Sequence, residues 1–230
     1  MDNVLHFPLS TIVDKNVPKN AFFGRASVEQ KSTLKDFLTR EFESIVWLYK
    51  LAPATLNVED GEYVHEIDVF YCRMKEDKYC IKPFSVMDEL LPRDTIFIIE
   101  YGGKFDLLMH YKEMSVVHGE QKWKCGVGEL KRDIRIDADT LNIQGQSMDA
   151  VYNSLLSQIS GLSASTKEEY KELVDIRKQI ESIQKQILML QKRIKAEKQF
   201  NRQMELNTEV RQLRKEITLL TDKLNKNNIY

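Results

Sequence analysis

Two stripes of aliphatic residues at heptad spacing mark the last third of the chain. Successive stripe positions are three and four residues apart, the spacing that puts side chains on one face of an α-helix in coiled coils. The stripes comprise Leu173, Ile176, Ile180, Ile183, Ile187, Leu190 and Ile194, and then Leu206, Val210, Leu213, Ile217, Leu220 and Leu224. The pattern predicts a coiled-coil arm over residues 165–228.

The two stripes are out of phase with each other. Ile194 and Val210 are 16 residues apart, which is not a multiple of seven. At ~100° per residue, this separation rotates the second stripe by ~160°, so that it would face almost opposite the first in one straight helix. A chain reversal between Ala196 and Glu205 would let the stripes pack together as an antiparallel hairpin. A single long helix with two partners is the alternative, because the linking segment lacks Gly and Pro.

Residues 1–161 carry shorter patterns of both periods, which predict an α+β domain with a mixed or antiparallel sheet and flanking helices. Helix starts are expected at Ser27, Ser85 and Ser147, each of which can cap a helix, and Gly161 is placed to end the last one. Gly102-Gly103 between two apolar runs is a hairpin signal. The predicted strands are Ile45–Tyr49, Val64–Met74, Thr95–Tyr101, Phe105–Lys112, Trp123–Val127 and Ile134–Ile136.

Charge changes sign between the two parts of the chain. The whole chain has a net charge of −1, but residues 162–230 carry 15 Lys and Arg against 10 Asp and Glu, which leaves residues 1–161 acidic. Around the proposed reversal, six basic side chains accompany only Glu197. They are Lys185, Lys192, Arg193, Lys195, Lys198 and Arg202. This set is either a solvated helix face or a contact for nucleic acid or an acidic partner.

Carboxylates on the Val64–Met74 strand allow a nuclease interpretation. Restriction-type nucleases hold Mg²⁺ with acidic residues on neighbouring strands and use a nearby Lys. Glu66 and Asp68, with Glu41 at the end of the preceding helix, could supply the carboxylates. The Lys is missing from the expected place, because Glu76-Asp-Lys78 and Glu120-Gln-Lys122 match only in turn-like sequence. Exposed positions on a strand face are the alternative role for Glu66 and Asp68.

No other catalytic or cofactor motif is evident. Phosphate-loop, dinucleotide-binding and nucleophile-elbow patterns are absent, and Gly126-Val-Gly128 stands alone. Cys72, Cys80, His118 and Cys125 lack the close spacing of a structural zinc site. We therefore predict no metal, no cofactor and reduced thiols, which suit a cytoplasmic location. No apolar run is long enough to span a membrane.

Several segments together resemble the domain of unknown function 4391 family of bacteria and archaea. They are VPKNAFF at Val17–Phe23, IVWLYKLAPATLNV at Ile45–Val58, VHEIDVFYCRMK at Val64–Lys75 and EKQFNRQMELNTEVRQLRKEI at Glu197–Ile217. The resemblance implies no catalytic residue. It implies a cytoplasmic accessory role beside helicases and restriction–modification enzymes.

Our interpretation is a non-enzymatic interaction subunit of a DNA-handling or phage-defence assembly. Its arm would bind protein partners, for example helicase or methyltransferase subunits, and direct DNA contact stays open. The alternatives are a divergent Mg²⁺-dependent nuclease subunit and a structural protein that self-assembles through the heptads.

Overall fold

The computed structural model describes residues 4–23, 26–117, 120–136, 138–164 and 166–226. The chain divides into two compact units, residues 1–161 and residues 162–230. The first is an α+β unit built on one sheet, and the second is a helical hairpin. None of the helices in the described ranges combines the length and apolar character needed to cross a membrane.

One six-stranded sheet organises the described part of the first unit, with its strands side by side in chain order. All neighbouring pairs are antiparallel except β3 and β4, which run parallel because α3 connects them. The strands are β1 (Ile12–Asn16), β2 (Phe42–Leu51), β3 (Ile67–Met74), β4 (Asp94–Tyr101), β5 (Lys104–Val117) and β6 (Glu120–Lys131). The predicted mixed α+β fold is confirmed.

Four helices of the first unit are described: α1 (Val28–Glu41), α2 (Pro53–Leu56), α3 (Lys82–Leu90) and α4 (Met148–Ser160). The predicted start of α4 is confirmed, because the Ser147 hydroxyl accepts a hydrogen bond from the N–H of Ala150. Gly161 ends α4 with a φ of 70°, a left-handed conformation that glycine adopts without a steric cost.

The Gly102-Gly103 turn joins β4 to β5, as predicted. Both glycines have positive φ, at 55° and 74°. Two-residue hairpin turns of this kind match the twist of the flanking strands and strongly favour glycine. The turn fixes the register in which Tyr101 lies opposite Lys104.

An apolar core lies between the sheet and the helices α1 and α3. Its fully buried members come from both helices and from β2 to β5. They include Leu34, Leu38, Phe42, Phe70, Cys72, Phe84, Met87, Phe97, Ile99 and Leu108. The opposite side chains of β3 and β4, such as Val69 and Ile98, are also buried. Both faces of the central strands are therefore covered, which explains why β3 has a nearly continuous apolar sequence.

The second unit contains α5 (Lys167–Ala196) and α6 (Phe200–Lys226). Ile183, Ile187 and Leu190 of α5 share a buried cluster with Val210 of α6. Further stripe residues are partly buried and pack against this cluster, namely Ile194, Leu206, Leu213, Ile217 and Leu220. The predicted antiparallel hairpin, with its reversal between Ala196 and Glu205, is confirmed. Thr166 caps α5, because its hydroxyl accepts a hydrogen bond from the N–H of Glu169.

Two local predictions were wrong. Ser85 lies inside α3 and does not cap it, because the helix begins earlier, at Lys82-Pro83. Residues 134–136 form no strand. The predicted strand Ile45–Tyr49 is confirmed as part of β2, although Phe42 and Ile45 also continue the helical spacing of α1 in the sequence, because strand pairing with β3 overrides the local pattern.

Candidate functional site

Glu66 and Asp68 lie beside two cations at one end of the sheet. Lys50, at the end of β2, is directly opposite Asp68 in the strand register. Its Nζ is 2.7 Å from Glu66 Oε2, and Arg93 Nη1 is 3.0 Å from Glu66 Oε1 and 3.8 Å from Asp68 Oδ2. Lys50 of the neighbouring strand thus supplies the lysine that the sequence did not place beside Glu66 and Asp68. We call Lys50, Glu66, Asp68 and Arg93 the acid-pair cluster.

Asp68 is the carboxyl of this cluster whose charge is least well compensated. Burial, reinforced by the adjacent Glu66 carboxylate, raises the pKa of Asp68 to about 7. Arg93 and Lys50 oppose the rise but do not cancel it. Asp68 Oδ1 is buried and has no hydrogen-bond partner among the described residues. Near neutral pH this carboxyl is therefore partly protonated, and losing the proton leaves a poorly compensated buried charge.

We expect Asp68→Asn to flatten the pH dependence of stability. Because the folded pKa of about 7 exceeds the unfolded value of 3.8, Asp68 favours folding below pH ~4 and this contribution disappears as pH rises through 7. The stability advantage of the variant over the wild type should be about 2–3 kcal/mol larger at pH 8 than at pH 5, and it should disappear only below pH ~4. Urea unfolding at several pH values measures the difference, and equal pH slopes for both proteins would contradict it.

Glu41 does not join Glu66 and Asp68. It is the last residue of α1 and directly precedes β2, so it lies at the opposite end of that strand from Lys50. There it lines a cleft of about 300 Å³ with Arg40, Glu76, Lys78, Tyr79 and Cys80. The predicted set Glu41, Glu66 and Asp68 therefore does not form one metal site. Glu76 and Lys78 share the cleft with Glu41, but they follow β3 and are not part of a strand.

A second group of polar side chains is buried between α3, β5 and β6. His110 Nδ1 lies 3.0 Å from Asp88 Oδ2, and His110 Nε2 lies 2.9 Å from the Ser85 hydroxyl. Lys112 Nζ is 2.5 Å from the other oxygen of Asp88. Asp88, His110 and Lys112 are each at most 2% exposed. We call Ser85, Asp88, His110, Lys112 and Cys125 the buried polar cluster.

The arrangement follows from simple periodicities. Ser85 and Asp88 are three residues apart on one face of α3, and His110 and Lys112 are two apart on one face of β5. Cys125 of β6 is directly opposite Lys112. The ring of His110 packs close to Gly128 of β6, where an added Cβ would lie 3.0 Å from Nε2. The isolated Gly126-Val-Gly128 pattern thus includes a glycine that makes room for His110.

Lys112 also connects the cluster to the chain that follows α3. Its ammonium donates to the carbonyl oxygens of Arg93 and Leu91. Since the Arg93 side chain reaches Glu66 and Asp68, the two polar clusters are neighbours. Burial, followed by the Asp88 carboxylate, raises the pKa of the Cys125 thiol. Cys125 is consequently a neutral thiol in the metal-free protein.

Ser85, His110 and Asp88 have the distances of a serine-hydrolase triad but not its surroundings. An acyl-transfer nucleophile needs free backbone N–H groups nearby to hold the oxyanion. Ser85 lies within α3, and its own N–H donates to the carbonyl of Ile81. The backbone N–H groups next to the Ser85 hydroxyl are therefore engaged in the hydrogen bonds of α3 and cannot hold an oxyanion. The cluster fits metal ligation better, because Asp88, His110 and Cys125 each offer a donor atom and these atoms lie within 4.8 Å of one another.

The tip of the helical hairpin concentrates exposed basic side chains. Lys192, Arg193 and Lys195 lie in the last turns of α5, Lys198 in the connection, and Arg202 at the start of α6. Lys185 lies further back on α5, about 18 Å from the turn. Phe200 and Met204, at 71% and 50% exposure, are large apolar side chains among these charges. We call residues 192–204 the basic tip.

Glu197 builds the turn within the basic tip. Its carboxylate accepts hydrogen bonds from the N–H groups of Lys198 and Gln199, and its carbonyl accepts one from the Gln203 side chain. These bonds satisfy the free groups at the end of one helix and the start of the next. The only acid between Lys192 and Arg202 is therefore engaged with the backbone.

Sequence reasoning identified the basic tip and the acid pair but missed Ser85, Asp88, His110 and Lys112 as a group. The sequence shows that Ser85 and Asp88 have helical spacing and that His110 and Lys112 have strand spacing. It does not show that this face of the helix packs against this face of the strand. Cys125 was considered only with Cys72, Cys80 and His118. Cys72 is buried in the apolar core, Cys80 is exposed, and His118 lies outside the described residues.

The comparisons with known proteins give a family and nothing more specific. The family model described as Domain of unknown function (DUF4391) matches residues 5–217. No curated protein and no solved structure matches the chain.

Proposed function

The chain belongs to the DUF4391 family of unknown function, and from this starting point we propose that it is a non-enzymatic accessory subunit of a cytoplasmic DNA-handling or phage-defence assembly. The observation that carries the proposal is the basic tip. Five exposed Lys and Arg side chains surround one acid that is occupied in the turn. The DNA-handling setting is supported only by the family resemblance.

Charge and apolar exposure together favour a binding role for the tip. A merely solvated turn needs no exposed Phe and Met, whereas interfaces commonly combine aromatic or Met anchors with Arg. Phe200 and Met204 lie two residues before and two residues after Arg202, close to Lys198 in the sequence. An acidic surface of a partner subunit offers the complementary charge and apolar contacts. The stripe residues stay available to hold the hairpin together, because they face away from solvent.

We expect the basic tip to contribute most of the affinity for the partner, and we expect this affinity to fall as the salt concentration rises. We expect the combined change Lys192→Glu, Arg193→Glu, Lys195→Glu and Lys198→Glu to weaken partner binding about 10- to 30-fold at ~0.15 M salt. The physical reason is the loss of four favourable exposed charges and their replacement by repulsive ones. Affinity purification from the native host, with mass spectrometry of the retained proteins, identifies the partner, and titration at several salt concentrations measures the effect.

A matched control separates the tip from net charge. Arg211→Glu, Arg214→Glu, Lys215→Glu and Lys223→Glu make the same charge change at exposed positions of α6 outside the tip. The control should retain the partner. Equal loss in both variants would indicate a general charge effect, and wild-type binding by the tip variant would contradict the proposal. If the isolated protein binds a short DNA duplex and only the tip variant loses this binding, the basic tip binds DNA and not a protein partner.

A Mg²⁺-dependent nuclease is the second candidate, favoured by the placement of Lys50 beside Glu66 and Asp68. Lysine near paired carboxylates is the composition such sites require. In this protein, however, Glu66 is already paired with both Lys50 and Arg93. We therefore expect no cleavage of plasmid DNA by the purified protein with Mg²⁺. Cleavage that Glu66→Gln abolishes would make the nuclease the correct function.

A further inference from the structure

The buried polar cluster has three donors of the kinds that zinc prefers. They are a carboxylate oxygen of Asp88, a ring nitrogen of His110 and the sulfur of Cys125, all within 4.8 Å of one another. We propose that these three residues bind one Zn²⁺ ion, with the fourth position open to water or to the Ser85 hydroxyl. The inference is independent of the proposed function of the basic tip.

The donor set selects among metals. Thiolate and imidazole ligands favour zinc over Mg²⁺ and Ca²⁺, which prefer oxygen alone. Zinc–ligand bonds of about 2.0–2.3 Å place tetrahedral donors roughly 3.3–3.8 Å apart. Asp88 Oδ2 and His110 Nδ1 are already 3.0 Å apart. Because all three donors lie within 4.8 Å of one another, bringing them to tetrahedral spacing needs an approach of about 1 Å or slightly more.

Metal ligands in proteins usually have their non-ligating polar atoms hydrogen-bonded to neighbouring groups, and the same arrangement is found around Asp88 and His110. When His110 Nδ1 ligates the ion, Nε2 carries the hydrogen and donates it to the Ser85 hydroxyl, at 2.9 Å. When Asp88 Oδ2 ligates, Oδ1 keeps its ion pair with Lys112. Asp88 and His110 would thus each have the second polar atom held by a neighbour, which fixes their orientation and improves affinity.

Local charge also favours a divalent cation. Among the charges that act most strongly on the Cys125 sulfur are the carboxylates of Asp88, Glu89 and Asp94 and the ammonium of Lys112. A bound Zn²⁺ would offset this excess of negative charge together with the thiolate that forms when the thiol proton leaves to solvent. Cys125 and Ser85 are only half-buried, so the ion has an approach from solvent.

The fold itself does not depend on the ion. In the metal-free protein Lys112 neutralises Asp88, and Ser85 and Asp88 satisfy His110. Zinc binding would replace the hydrogen on His110 Nδ1 by the ion and would add the thiolate bond. The sequence prediction of no metal rested on cysteine spacing, and the ligands proposed here come from three separate elements, α3, β5 and β6.

Cobalt titration of the chelator-treated, full-length protein tests the site. Co²⁺ replaces Zn²⁺ and gives a thiolate-to-cobalt absorption band only when a cysteine sulfur is bound. We expect the wild type and Cys80→Ser to bind one equivalent with this band, and added Zn²⁺ to remove it. Cys125→Ser, a nearly isosteric change, should lose the band and bind Co²⁺ at least about tenfold more weakly.

The outcomes distinguish the site from adventitious binding. Elemental analysis should find one Zn²⁺ per chain in the wild type after gel filtration and none in Cys125→Ser. Circular dichroism of both variants verifies that they fold. A wild type without the thiolate band, or a Cys125→Ser variant that keeps it, would overturn the proposal, as would a band that disappears in Cys80→Ser.

Discussion

Lys112→Met should lower the free energy of unfolding by about 3–5 kcal/mol, because it removes the charged partner of a fully buried carboxylate. Lys112 Nζ and Asp88 Oδ1 are 2.5 Å apart, and the two side chains are 1% and 0% exposed. The same change frees the carbonyl oxygens of Leu91 and Arg93, which precede β4. Urea unfolding with a chelator present, followed through tryptophan fluorescence, measures the loss without interference from metals.

Two controls separate this effect from the loss of a lysine in general. Lys104→Met removes an exposed lysine from the same strand, 3.6 Å from Asp133, and should cost less than about 1 kcal/mol. Adding Asp88→Asn to Lys112→Met removes the orphaned charge and should recover part of the stability. A Lys112→Met variant no less stable than Lys104→Met would show that this ion pair does not hold α3 against β5.

Local sequence features were reliable wherever one or two neighbouring residues determine the backbone. The turn at Gly102-Gly103 and the helix from Ser147 to Gly161 are examples, because their conformations depend on positive φ and on a hydroxyl cap. The heptad stripes were equally informative, since their phase change could be satisfied by a reversal. These features account for the fold class and for the hairpin.

Features that depend on distant contacts were not predictable in the same way. The start of α3 was misplaced because Ser85 resembles a cap, while its hydroxyl is used by His110, 25 residues away. The reversal after Ala196 lacked Gly and Pro, because the Glu197 side chain provides the hydrogen bonds that a turn residue usually supplies. A polar side chain can serve many partners, and only the tertiary structure selects one.

The same limit applies to the candidate sites. The basic tip was visible in the sequence because its residues are contiguous. Lys50 was overlooked beside Glu66 because an antiparallel pairing between β2 and β3 brings them together. The buried polar cluster combines residues of three elements, and its members are up to 40 residues apart in the chain. Composition alone does not reveal such a group.

Ile187→Asp should unfold the helical hairpin, because it places an unpaired carboxylate inside the apolar contact between α5 and α6. Ile187 is 8% exposed and shares the buried cluster with Ile183, Leu190 and Val210. Most of the stability of a helix in a protein comes from packing of its apolar face, so each helix of the hairpin depends on the other. We expect loss of most helical circular dichroism from residues 167–226 and rapid proteolysis of this segment, while the α+β unit, which has its own core, stays folded.

The neighbouring residue provides the matched control for this prediction. Leu188 is 58% exposed, so Leu188→Asp adds the same charge one position along the helix without entering the contact. It should leave helicity and protease resistance near wild-type levels, because an exposed apolar-to-polar change costs at most about 0.5 kcal/mol. If both variants lose the hairpin, helix propensity and not packing holds it together. If neither does, the stripe is not its core. Loss in Ile187→Asp alone shows that burial of the stripe against α6, and not helix propensity, holds the hairpin together.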